Sequence, residues 1–168
     1  MNKKIGYGSF VGYISTIFLA NWAIARFGFV SVGFGLLAPA GVYFVGLAFT
    51  LRDTTQRYLG NKMAVIAILI GAGLSYFVSP DFALASGVAF LISEFADYAI
   101  YTPLSKKNWL ASVGLSNTVG TIVDSALFLY LAFGSLDFIS GQIVGKLWMT
   151  VIAIIILIPI RNKLIYKN

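Results

Sequence analysis

Residues 82–107 read FALASGVAFLISEFADYAIYTPLSKK, an apolar run of membrane-spanning length that holds Glu94 and Asp97 one helical turn apart and ends on Lys106 and Lys107. A charge at the centre of a bilayer costs about 3 kcal/mol on insertion scales. Two carboxylates in one such run point to a function that uses them.

The rest of the chain has the same character. Of 168 residues, 59% are hydrophobic and 11% charged, and the mean hydropathy is +0.88, outside the range of soluble domains. Apolar runs of about 20 residues, long enough to cross a hydrocarbon core of about 30 Å as helices, recur between short polar connections. Six spans are expected: Ile5 to Arg26, Gly28 to Leu51, Lys62 to Val78, Phe82 to Tyr101, Trp109 to Phe133 and Phe138 to Ile160. The predicted fold is an all-α integral membrane protein, a six-transmembrane-helix bundle in which residues 1–168 form a single transporter domain. The first span lacks a convincing small-residue cleavage site and is expected to stay in the mature protein.

Twelve basic against six acidic residues would suggest nucleic-acid binding in a soluble protein, but their positions argue otherwise. Lys3 and Lys4, Arg52, Arg57 and Lys62, Lys106 and Lys107, and Arg161, Lys163 and Lys167 flank alternate ends of the spans. The opposite connections hold Arg26, Asp81 and Asp137. The positive-inside rule then places both termini in the cytoplasm, and the surplus serves topology and anionic lipid headgroups rather than nucleic acid. Cysteine and histidine are both missing from the sequence. That removes disulfides, thiolate or imidazole metal sites and Ser-His or Cys-His nucleophiles. No cofactor is expected, and without a Walker A pattern the chain does not hydrolyse ATP itself.

The second span contains GFGLLAPAGVYF, with Pro39 near its middle, and a break or kink is expected there. Broken helices mark many transporter sites, although packed neighbours also tolerate them. The glycine pairs Gly8/Gly12 and Gly141/Gly145 suit close helix packing, either within the bundle or at a homodimer face.

Four ionisable residues fall inside spans: Glu94, Asp97, Asp124 and Lys146. At 1.5 Å of rise per residue, Asp124, Lys146 and Asn21 lie about 21–24 Å from the cytoplasmic face, so an Asp124 to Lys146 ion pair is geometrically open. Glu94 and Asn117 lie about 12 Å from that face, with Asp97 nearer the cytoplasm. Helical spacing sets Phe90, Glu94, Asp97 and Tyr101 on one face, as it does Asn117, Thr121, Asp124 and Phe128, and Gln142, Lys146 and Thr150. Three polar stripes can line one cavity. Glu94 has no basic partner within the expected spans. Asp53 and Arg57, four apart at the cytoplasmic end of the second span, can pair.

The elements ANW at 20–22, FTLRDTTQRYLG at 49–60, LASGVAFLISEFADYAIYTPLSKK at 84–107 and LSNTVGTIVDSALFLYLAF at 115–133 resemble the queuosine-precursor transporter family, also called the VUT or YhhQ-like family. Arg57 stands where many members have Glu. The resemblance implies import of a 7-deazaguanine base such as preQ0 or preQ1 across the inner membrane, as a secondary transporter that is not an enzyme. The residues suit such a cargo. The base edge offers an N1–H beside an exocyclic amine, and one carboxylate accepts both. Glu94 is the first candidate and Asp124 the second. Asn117 or Lys146 can donate to the ring oxygen, and Phe90, Tyr98, Tyr101 or Trp148 can face the ring. Asn21 joins this substrate-binding set. Asp97, with Asp53 and Arg57, is a candidate for gating or for carrying a coupled proton.

Other readings stay open. Energy-coupling vitamin transporters have substrate-binding subunits of similar size, docked through small residues on the first helix, which Gly8/Gly12 would supply. A membrane-embedded hydrolase needs paired carboxylates, which are present, but also a nucleophile or metal set, which is missing. A pore-forming protein would have little use for the buried Asp and Lys.

Overall fold

The computed structural model describes residues 3–78 and 83–165. Asp81 and Lys167 of the charge pattern, and Phe82 at the expected start of the fourth span, lie outside the described residues. Within them the chain forms α1 (Lys3–Phe27), the strands β1 (Phe29–Gly33) and β2 (Leu36–Pro39), then α2 (Val42–Leu59), α3 (Asn61–Val78), α4 (Ala83–Leu104), α5 (Trp109–Phe133) and α6 (Ile139–Ile165).

Short links turn the chain back on itself. Gly60 joins α2 to α3 at a φ of 88°, which favours glycine. The Asn108 side chain accepts from the Ala111 amide and caps α5, which ends on the left-handed Gly134. The helices pack as a bundle with Tyr13, Ile17, Ala48, Ala67 and Phe90 at its centre, drawn from α1 to α4. By length and composition α1, α3, α4, α5 and α6 can each cross a membrane. The helix left out is α2, whose 18 residues include Arg52, Asp53 and Arg57. Chains with several such helices are multi-pass membrane proteins.

Two expectations about the second span fail together. Residues 29–39 are not helical: β1 and β2 pair antiparallel, Phe29 with Pro39 and Ser31 with Leu37, so the fold is not purely α. Phe34 and Gly35, at φ 53° and 72°, supply the positive φ that a two-residue hairpin turn of type I′ needs. Pro39 therefore breaks no helix; it ends β2 ahead of α2. The apolar side chains that made this stretch look membrane-spanning instead cover α6. Val32 and Ala38 are buried with Val42 and pack on Val144. Gly141 and Gly145 permit the approach, since a Cβ at Gly145 would lie 2.6 Å from Val42 and one at Gly141 would strike the Leu37 carbonyl. This glycine pair serves packing inside the bundle. Gly12 meets Leu51 of α2, whereas Gly8 faces open space.

Candidate functional site

Because the hairpin consumes residues 29–39, α2 starts later and runs further than the expected span, about 27 Å in all, and carries Arg52 and Asp53 into the bundle. Arg52 is the missed residue. It is fully buried, and its guanidinium binds carboxylates from two helices. Nε donates to Glu94 Oε2 at 3.1 Å and Nη2 donates to Asp97 Oδ1, both on α4. Nη1 lies 2.8 Å from Asp53 Oδ1 and donates to Gln56 Oε1 at 3.2 Å, both on α2. Glu94 thus has a basic partner after all, from the helix whose start the hairpin displaced. The guanidinium carbon also sits 5.9 Å from the Tyr98 ring centre and 5.7 Å from that of Tyr101, within cation–π range.

The third wall comes from α5. Gly120 lets it approach, because a Cβ there would lie 2.8 Å from Phe49 and 3.0 Å from the Asp97 Cβ. Asn117 is then buried beside Asp97. With its amide turned so that both ends are satisfied, nitrogen donates to Asp97 Oδ2 at 3.1 Å and to the Val113 carbonyl. Its oxygen then accepts from Thr50 at 2.7 Å and Thr150 at 3.2 Å, which joins α2, α4, α5 and α6. Ser116, also on α5, donates to Asp53 Oδ2 at 3.3 Å.

A second cluster lies along α5 and α6. Lys146 Nζ donates to Asp124 Oδ2 at 2.6 Å, to Ser125 at 2.8 Å and to Gln142 at 2.9 Å. The Asp124 to Lys146 pair allowed by the depth arithmetic does form. Ser93 of α4 donates to Asp124 Oδ1 at 3.4 Å and links the two clusters. Beside them Glu94 Oε1 faces the Tyr13 hydroxyl and the Tyr101 hydroxyl faces the Trp109 side chain, and the buried Thr121 hydroxyl has no hydrogen-bond partner among the described residues. A buried group of carboxylates, an amide and hydroxyls on converging helices is where a polar ligand would find partners.

The structure therefore brings together Glu94, Asp97, Tyr101, Asn117, Asp124 and Lys146. Phe90 is buried next to them, its ring 6.0 Å from that of Tyr13. Others of the expected set lie elsewhere. Trp148 is 43% exposed, donates to the Val32 carbonyl at 3.0 Å and stacks on Phe34, so it holds the hairpin. Asn21 donates to the Ile17 carbonyl of its own helix. Asp53 takes Arg52 and Ser116 rather than Arg57, whose guanidinium lies 4.0 Å over the Trp109 ring. The signal for Arg52 was present in the sequence, in the glycines at 33 and 35 and the proline at 39 that belong to a hairpin better than to a helix.

Apolar helices packed around a buried network of carboxylates, amides and two basic groups are the build of a membrane transporter. A family model described as "Putative vitamin uptake transporter" matches residues 75–162, just over half of the chain. The chain belongs to this vitamin uptake transporter family, the VUT family that the residues at 84–107 and 115–133 resemble. The matched segment includes Glu94, Asp97, Asn117, Asp124 and Lys146, while Arg52 lies outside it. No curated protein and no solved structure matches the chain.

Proposed function

We propose that this protein imports a 7-deazaguanine base, of the preQ0 or preQ1 kind, through the buried network on α2, α4, α5 and α6. The observation that carries the reading is the buried polar group itself: Glu94 and Asp97 on α4 beside Asn117 on α5, joined through Ser93 and Asp124 to Lys146 on α6. Glu94, with Asp97 beside it on α4, would accept the N1–H and amine of the base edge, Asn117 or Lys146 would face the ring oxygen, and Tyr101 would meet the ring. Charge supports a coupled cation. Asp53, Glu94, Asp97 and Asp124 are buried with only Arg52 and Lys146 among the described residues, which leaves two negative charges over. A proton on one of these carboxylates offsets one, and the aminomethyl arm of preQ1 would offset another. On this reading the protein sits in the inner membrane with both termini cytoplasmic, as the distribution of basic residues supports.

The test is accumulation of labelled preQ0 and preQ1 by cells that use these bases but lack their own synthesis and transporter. Uptake that needs this protein, and that falls when the proton gradient is collapsed, supports the reading; no uptake despite membrane expression overturns it. A second reading, a substrate-binding subunit that borrows an ATPase partner, draws on the open face at Gly8 of α1. Copurification of an energising subunit with the wild type, lost on Gly8→Leu, would favour it.

A further inference from the structure

We propose that Arg52 is a built-in stand-in for the cargo, a latch whose guanidinium holds the carboxylate positions that the base edge must take. This inference rests on the reading of the site as a base-binding one. A guanidinium and the 2-amino-4-oxo edge of a deazaguanine share one feature: neighbouring N–H donors in a plane, on a flat group that favours aromatic faces. Arg52 uses both properties. Two of its nitrogens reach Glu94 and Asp97 of α4, and its guanidinium carbon lies 5.9 Å and 5.7 Å from the Tyr98 and Tyr101 ring centres.

The partners of Arg52 divide by helix, which makes an exchange workable. Glu94 and Asp97 belong to α4, whereas Asp53 and Gln56 belong to α2 with Arg52 itself. When the base takes the α4 carboxylates, the guanidinium keeps Asp53 and Gln56, and the α4 carboxylates keep hydrogen-bond donors, their charge being met by the coupled proton and, for preQ1, by its aminomethyl arm. Cargo and latch then compete for one pair of acceptors, and the contact between α2 and α4 depends on which of them is bound. Such competition lowers apparent affinity by the fraction of protein in which the latch is shut.

The first test is the dissociation constant of preQ0 and preQ1 for the full-length protein in nanodiscs, wild type against Arg52→Lys. An ammonium is a point donor and cannot span both carboxylates as a guanidinium does, so the latch weakens by at least one charge-assisted hydrogen bond. The base should bind about tenfold more tightly to the variant. Equal or weaker binding overturns the latch. The second test needs no base: the melting temperature of Arg52→Ala with and without millimolar guanidinium chloride. Guanidinium should raise it for Arg52→Ala, but not for the wild type or for Arg52→Ala combined with Glu94→Gln and Asp97→Asn. No rise in Arg52→Ala overturns the claim that the α4 pair selects a planar donor edge. Rescue by guanidinium without base binding in any variant removes the cargo reading and keeps that selectivity; base binding without rescue or tightening keeps the cargo and removes the latch.

Discussion

Arg52 and Glu94, 42 residues apart in sequence, meet inside the bundle with Nε 3.1 Å from Oε2 and both side chains buried. The contact ties α2 to α4 by charges that neither helix can hold alone in an apolar interior. Arg52→Leu should therefore cost about 3–5 kcal/mol, because it strands Glu94 and Asp97 unpaired. Adding Glu94→Gln and Asp97→Asn should recover much of that loss. Thermal unfolding in detergent measures both.

Lys146 and Asp124 form the corresponding link between α5 and α6. Lys146→Met and Asp124→Asn should each destabilise by about 3–5 kcal/mol, and the double variant by clearly less than their sum. Additive losses in the same unfolding measurement would mean that the pair contributes nothing as a pair.

Gly46 sets the distance between α2 and α6, since a Cβ there would lie 2.6 Å from the Lys146 carbonyl oxygen and 2.8 Å from its Cα. Gly46→Ala should push the helices apart at a cost of about 1–3 kcal/mol, with reduced base uptake. Gly8→Ala, where the added carbon meets nothing, should stay within about 0.5 kcal/mol of wild type. Comparing their melting temperatures separates packing from any general effect of losing a glycine.

Much of this architecture is legible in the sequence, for reasons that differ between parts. Long apolar runs bounded by charged residues mark α1, α3, α4, α5 and α6, because the bilayer forces helix length and hydropathy together. The polar stripes on α4, α5 and α6 follow from helical spacing, and the Asp124 to Lys146 pair follows from depth. What hid Arg52 was residues 29–39. Their apolar side chains satisfy a hydropathy window equally well as a hairpin packed on α6 or as half a span, and periodicity over so few residues does not separate the two. Counting them as helix pushed Arg52 out of the bilayer by three turns. The same shift made Glu94 look partnerless and Asp53 look like a mate for Arg57. Trp148 shared the error, because its partner, the Val32 carbonyl, exists only once the hairpin does.

The central claim is that the α4 carboxylates receive the cargo. Its most direct test is uptake of labelled preQ0 or preQ1 by cells expressing wild type or Glu94→Gln at equal levels in the membrane. The amide keeps the shape of the side chain but puts a donor where the base edge needs an acceptor. The account predicts accumulation with wild type and background levels with Glu94→Gln. Equal accumulation by the two would contradict it, as would the absence of accumulation with either.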